Sequence, residues 1–310
     1  MCRALAYLGQ PVLLDHLLFQ PDSSLVKQSY MPQMLNLLNL AGFGMKAWDE
    51  GSADPDRPFS YASTSLPIYD RNLKGLSEKI RATCLLAHVR GVHFNTEGII
   101  SQQNIHPFQF RGCPIALAHN GDLDRMREMK PVLLEYVRPE FARMIDGTTD
   151  SEWIYALFLS HLENPGRHAS ASEIAKALEK TLAVIRQVRA KLGIANWSPV
   201  NLFITTGKQL VAVRYCFDFG CYRTDDPRLV PPASFVYHSL WYTSGSAYGY
   251  HDDEWKMTGG ANTADSIMIA SEPLTRDVST WLEVPEYSMI YADTRSGRPT
   301  VEVHYLDKFS

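Results

Sequence analysis

The chain has 310 residues, 45% of them hydrophobic and 21% charged, enough apolar side chain for one large core or two modest ones. Its 30 Lys and Arg against 34 Asp and Glu leave a formal charge of -4 without a basic stripe, which argues against a nucleic-acid partner, and no apolar run reaches the length of a membrane span. The five cysteines Cys2, Cys84, Cys113, Cys216 and Cys221 are an odd number without a Cys-x-x-Cys pair, as expected for reduced thiols in a cytoplasmic protein. In chain order, strand-like runs fall at 4–8, 83–90, 114–119, 201–206, 210–215, 235–242, 266–271 and 287–292, with a hairpin about Thr206-Gly207-Lys208. Helical patterns cover 24–40, 70–79, 127–144, 151–162 and 172–192. In the last, Ile174, Leu178, Leu182, Ile185, Val188 and Leu192 recur at three- and four-residue steps, Ser172 stands where a cap belongs and Gly193 ends the pattern. Segment 216–265, with Pro231-Pro232, many aromatics and Gly259-Gly260, is a candidate lid or interaction loop.

Chemistry is concentrated at the ends of these runs. Met1-Cys2-Arg3 places a Cys where removal of Met1 leaves a thiol and a free α-amine on one carbon. Such an amine titrates near ~7.7–8.0, low enough to take the thiol proton at neutral pH and return it to a leaving amine. The apolar run Thr83-Cys84-Leu85-Leu86 delivers Arg90 at its end, where a planar guanidinium can clamp a carboxylate. A second apolar run stops at His119-Asn120-Gly121, where a side-chain amide and a backbone N–H can meet on one oxyanion. Gly147-Thr148-Thr149-Asp150-Ser151-Glu152 enters a helical stretch, with Asp150 placed to accept from an ammonium group. Each segment also has a bland meaning: a chain start, a surface charge, a tight turn and a helix cap. A zinc site among His88, His93, His106 and His119 is an alternative, but their spacing fits no ligand motif, and no metal or other cofactor is expected.

In this order the motifs resemble the class II glutamine amidotransferases, which are N-terminal nucleophile hydrolases. Met1-Cys2-Arg3, Gly42-Phe43-Gly44, His88-Val89-Arg90, His106-Pro107-Phe108, His119-Asn120-Gly121, Gly147 to Glu152 and Ala270-Ser271-Glu272-Pro273-Leu274 look like its stand-alone branch. That branch includes the amidotransferase-like subunit of the fungal glutathione-degradation complex and the γ-glutamyl hydrolase of ergothioneine biosynthesis. The resemblance implies an α+β fold, a four-layer αββα sandwich of antiparallel sheets over residues 2–290, with 291–310 as a C-terminal extension. It implies Cys2 as nucleophile, Asn120 and Gly121 as the oxyanion hole, and Arg90, Asp150, His119 and Thr96 as substrate-binding residues. Thr96 belongs to a loop, Arg90 to Gly98, that departs from the family pattern; either Asn95 or Thr96 replaces the contact that relatives make with a Thr soon after the Arg, or the pocket is altered.

The activity so implied is hydrolysis of a small-molecule γ-glutamyl amide through a thioester on Cys2, releasing glutamate. The alternatives are a glutaminase subunit that passes ammonia to a separate synthase and a non-catalytic binding or regulatory homologue. A homodimer, or a complex with a peptidase or synthase subunit, is compatible with the resemblance; nucleic acid and membrane are not expected partners.

Overall fold

The computed structural model describes residues 2–34, 38–92, 100–219, 239–259, 264–293 and 300–306. Its strands are β1 (Arg3–Leu13), β2 (Phe43–Trp48), β3 (Phe59–Ser63), β4 (Arg81–Val89), β5 (Ala116–Gly121), β6 (Ser198–Thr205), β7 (Gln209–Arg214) and β8 (Cys216–Phe217). They continue with β9 (Trp241–Gly245), β10 (Ala247–His251), β11 (Glu254–Thr258), β12 (Ser266–Ala270), β13 (Leu282–Glu283), β14 (Ser288–Asp293) and β15 (Thr300–Tyr305). The helices are α1 (Leu14–Leu18), α2 (Leu25–Gln28), α3 (Arg71–Ser77), α4 (Met126–Leu133), α5 (Pro139–Ala142), α6 (Asp150–Ser160) and α7 (Ala171–Lys191). One sheet has the order β13-β9-β12-β1-β4-β2-β3; the other runs β15-β14-β7-β6-β5, with β8 paired to β6.

Side-chain alternation along the strands sets the layers, because successive residues of a strand point to opposite faces. On β1, Ala4, Ala6 and Leu8 join a cluster with Ala116, Ala118, Phe203 and Ala212 of the other sheet, which is the core between the two sheets. The intervening Leu5 and Tyr7 pack outward with Leu14, Leu17, Leu18, Leu25 and Leu73 of α1, α2 and α3. On the second sheet Leu117, Ile204, Val211 and Val213 face Ile154, Phe158, Ile174, Leu178 and Ile185 of α6 and α7. The result is the four-layer αββα sandwich that the resemblance implies. Strands covered on both faces carry apolar residues almost continuously, which is why β6 is buried along its whole length.

Local chemistry explains most of the boundaries. Ser170 caps α7 in a capping box with Glu173, two residues before the Ser172 expected from sequence, and Gly193 leaves the helix at φ +63. In the β6–β7 hairpin, Gly207 takes φ +86 and donates its N–H to Thr205 Oγ1 at 3.0 Å.

Elsewhere the structure departs from the expected elements. The pattern at 24–40 yields only the short α2, because Pro32 cannot continue a helix and the N–H groups of Gln33 and Met34 are instead donated to Glu272. The pattern at 127–144 splits into α4 and α5 at Arg138-Pro139, where the residue before proline is held extended. Within 216–265, β9 is an inner strand of the seven-stranded sheet and β10–β11 form a hairpin through Asp252 and Asp253, both at positive φ; residues 220–238 and 260–263 lie outside the described residues. Of the expected extension, residues 291–293 finish β14, and β15 adds a further strand to the same sheet, so the sheet runs past residue 290. Among the described residues no helix is long and apolar enough to cross a membrane.

Candidate active site

Cys2, Arg90 and Asn120-Gly121 sit at strand ends. Arg3 lies opposite Val89 in the β1–β4 register, which puts Cys2 beside the residues that follow β4. There the Gly91 N–H donates to Cys2 Sγ at 3.5 Å. The backbone of Arg90 is fixed by its own N–H to Gly42 O (2.8 Å) and by the Ala41 N–H to Arg90 O (2.8 Å). The side chain is buried; desolvation lowers the guanidinium pKa, and the negative fields of Cys2 and Asp150 oppose that shift. Both groups are therefore within electrostatic reach of Arg90.

Asn120 and Gly121 end β5, inside the ladder rather than in a turn. Asp122 donates to Pro199 O, so the alternate residue Gly121 turns its N–H away from β6, to the outer side of β5, where Phe108 pairs with Leu117 further back. A Cβ at Gly121 would stand 2.0 Å from Pro199 O and 2.4 Å from His119 Nε2, so the position admits only glycine without backbone movement. Asn120 is buried, and its Nδ2 donates to Ser271 Oγ at 2.9 Å. The same oxygen accepts the Ala4 N–H at 3.0 Å, tying β5 to β1.

Asp150 is the first residue of α6, after the Thr149 cap whose hydroxyl accepts from Glu152 N. Its carboxylate accepts the N–H of Leu123 (2.8 Å) and the N–H (2.8 Å) and hydroxyl (3.1 Å) of Ser151. His119, expected beside the substrate, lies on the opposite face of β5 from Asn120. There, on the helix side of the sheet, it is 1% exposed, and its Nδ1 pairs with Ser151 Oγ at 2.9 Å and stands 3.8 Å from Asp150 Oδ2, so it supports the first turn of α6. Thr96 and Asn95 lie outside the described residues.

His119 is one of three imidazoles under the site. His88 Nε2 pairs with the His119 carbonyl at 3.2 Å, and the rings of His88 and His106 lie 4.2 Å apart. Burial pushes the His88 pKa down to about 3, with Arg90 adding to the effect, and holds His106 well below its ordinary value. His119 is lowered by burial too, against the field of Asp150. Among the described residues no group of three or more His, Cys, Asp or Glu could hold a metal ion.

Two residues at the site had no role read from the sequence. Glu272 is buried, and it accepts Arg3 Nε (3.2 Å), the Ser23 hydroxyl (3.3 Å) and the N–H groups of Gln33 (3.1 Å) and Met34 (3.3 Å). Arg3 also donates to Cys2 O at 3.1 Å. Ser271 is the bridge just described. Ala270-Ser271-Glu272-Pro273-Leu274 is visible as a polar pair closing an apolar run, but Arg3, Ala4, Asn120 and the other partners of the pair's side chains lie roughly 150 to 270 positions away, so no local pattern could give them.

Residues 68–223, just over half of the chain, match the family model described as glutamine amidotransferases class-II, and the chain belongs to that family. It is therefore an enzyme, with the N-terminal nucleophile hydrolase fold. The matched region holds Arg90, Asn120, Gly121 and Asp150 and begins after Cys2. Among individual proteins, the chain is 29% identical to the "Probable glutamine amidotransferase DUG3" of Saccharomyces cerevisiae, over 99% of this chain and 86% of the yeast protein. It is 34% identical to the gamma-glutamyl-hercynylcysteine sulfoxide hydrolase of Mycobacterium tuberculosis, over 40% of this chain and 51% of that enzyme. A solved glutamine aminotransferase class-II domain protein from Silicibacter pomeroyi superposes with a TM-score of 0.61 at 19% identity, covering 99% of this chain and all of that one. The glutamine phosphoribosylpyrophosphate amidotransferase of B. subtilis gives 0.55 at 15% identity, covering 97% of this chain and 49% of that one.

Proposed function

We propose that this enzyme is a cysteine amidohydrolase that cleaves the amide of a γ-glutamyl compound and releases glutamate. The observation that carries the reading is the nearness of one buried cation, Arg90, to the Cys2 sulfur, which Gly91 N–H holds at 3.5 Å one residue further on, and to Asp150, whose charge acts on the guanidinium. A fixed guanidinium and a fixed carboxylate match the α-carboxylate and α-ammonium of a free amino-acid head. Holding that head leaves the γ-carbonyl within reach of the thiol, and makes attack effectively intramolecular. Similarity to the yeast protein along nearly the whole chain and to the mycobacterial hydrolase over part of it supports a γ-glutamyl group as the acyl donor.

With Met1 removed, the α-amine of Cys2 takes the thiol proton and the thiolate attacks the γ-carbonyl carbon. The oxyanion that forms receives hydrogen bonds from the Asn120 side chain and the Gly121 N–H. Collapse breaks the C–N bond, and the α-ammonium returns its proton to the leaving amine. Water, deprotonated by the same amine, then hydrolyses the thioester to glutamate and free thiol.

The test is glutamate release from a panel of γ-glutamyl compounds, glutamine included, with Cys2→Ala as the blank. Turnover by wild type and none by Cys2→Ala is expected; equal rates in both would refute the mechanism. A chain that turns over only glutamine, and only in the presence of a second subunit, would instead favour the ammonia-supplying alternative.

A further inference from the structure

We infer that Ser271 is a positioning residue that aims the Asn120 amide at the oxyanion, an inference that rests on the hydrolase reading above. The β1–β12 register pairs Leu5 with Ala270, so Ser271 stands opposite Ala4 one step beyond the end of β12. Ser271 N donates to Ala4 O at 3.0 Å, as an antiparallel ladder requires. The return bond is different. Ala4 N donates to the Ser271 side-chain oxygen instead of its carbonyl, and that carbonyl accepts the Ser239 hydroxyl at 2.9 Å. The hydroxyl oxygen is thereby locked in place by backbone on one side, and its remaining acceptor capacity takes Asn120 Nδ2 at 2.9 Å.

An amide group can present either its nitrogen or its oxygen to a given point. In the structure the nitrogen end of Asn120 faces Ser271, whose oxygen accepts from both Ala4 N and Asn120 Nδ2, and the second Nδ2 proton is left for the substrate. Ser271 and Asn120 are 3% and 4% exposed, so water does not readily replace the bond. The bridge also couples the two machines of the reaction: Ala4 is two residues from Cys2, so nucleophile and oxyanion donor share one anchor.

The experiment measures kcat and KM on whichever γ-glutamyl compound of the panel the wild type turns over fastest. Ser271→Ala should lower kcat by about 10- to 100-fold, part of the loss typical of a whole oxyanion donor, with KM within about 2-fold. Ser271→Thr should restore kcat to within about 3-fold, whereas Ser271→Val, of the same shape but without a hydroxyl, should not; this pair controls for the added methyl and for folding. In an Asn120→Ala background the Ser271→Ala effect on kcat should vanish, since the two residues act as one unit. An unaltered kcat in Ser271→Ala, a Val variant equal to the Thr variant, or an undiminished effect in the Asn120→Ala background would each overturn the proposal. Asn120→Ala measured alone keeps the two readings apart: if that variant is impaired while Ser271→Ala is not, only the positioning role falls, and if it is unimpaired the oxyanion reading falls and takes the positioning role with it.

Discussion

Arg3 and Glu272 form an ion pair inside the protein at 3.2 Å, with side chains only 5% and 1% exposed. The pair joins the residue after Cys2 to the residue after Ser271, and the carboxylate also holds the N–H groups of Gln33 and Met34. Removing one member of a buried pair leaves the other charge uncompensated, at a typical cost of about 3–5 kcal/mol. Glu272→Ala should therefore lower the melting temperature sharply, and Glu272→Gln, which keeps one acceptor oxygen, should fall between the two. A Glu272→Ala protein as stable as wild type would mean that Arg3 finds solvent by another route.

The proposed base makes a second prediction. If the α-amine of Cys2 carries the proton, a chain that retains Met1 or bears an N-terminal tag loses its general base, a function typically worth 10²–10⁴-fold in rate. Activity across preparations should then scale with the fraction of chains beginning at Cys2, read by mass spectrometry. Full activity in a tagged protein would assign the proton to another group.

Much of this site was legible because it lies where apolar runs stop. Arg90 follows β4, Asn120-Gly121 close β5 and Asp150 opens α6, and each is a polar interruption at the end of a periodic segment. Less was legible where glycine or long-range pairing decides. Gly44 stands in β2 because a Cβ there would meet His106 O at 2.1 Å, and a Gly-rich run gives little strand signal. The β10–β11 hairpin turns through Asp252-Asp253 rather than the Asn-Gly that marks such turns. Ser271 and Glu272 act on partners roughly 150 to 270 positions away, and for His119, just before Asn120, sequence does not say which face of β5 turns to α6.

Head-group recognition can be tested by altering one partner at a time with little change in size. Arg90→Lys replaces a planar fork by a point charge and should raise KM at least 10-fold for every γ-glutamyl substrate, with a smaller change in kcat. Asp150→Asn should do the same, although it also weakens the acceptors for Leu123 N and Ser151. Normal binding of glutamate analogues by both variants, measured by calorimetry, would sink the assignment.

The buried imidazoles predict acid sensitivity. His88, His106 and His119 all have folded pKa values below that of the unfolded chain, near ~6.5, so below that pH the unfolded state binds more protons. Their contribution to stability is fully present above pH ~6.5 and is lost as pH falls, by up to about 1.4 kcal/mol per pH unit for each histidine. Denaturant unfolding between pH 7 and 5 should show this decline, and His106→Phe, which can keep the ring contacts with His88 and Phe108, should make it shallower by one proton. A stability independent of pH over that interval would show that the imidazoles are already solvated in the fold.

The sharpest test of the chemistry is Asn120. Its amide is held in β5 by the Ser271 hydroxyl, and the oxyanion it is proposed to meet exists only after Cys2 attacks. Asn120→Ala should then lower kcat by about 10²–10³-fold and leave KM nearly unchanged, as for loss of a single oxyanion donor. A purely structural Asn120 predicts the opposite division: the Ser271 hydroxyl loses one partner, stability falls by about 1 kcal/mol, and each folded molecule works at the wild-type rate. Measuring kcat, KM and melting temperature on one preparation separates the two. A raised KM at unchanged kcat would move Asn120 from the oxyanion hole to the walls of the glutamyl pocket, beside Arg90 and Asp150.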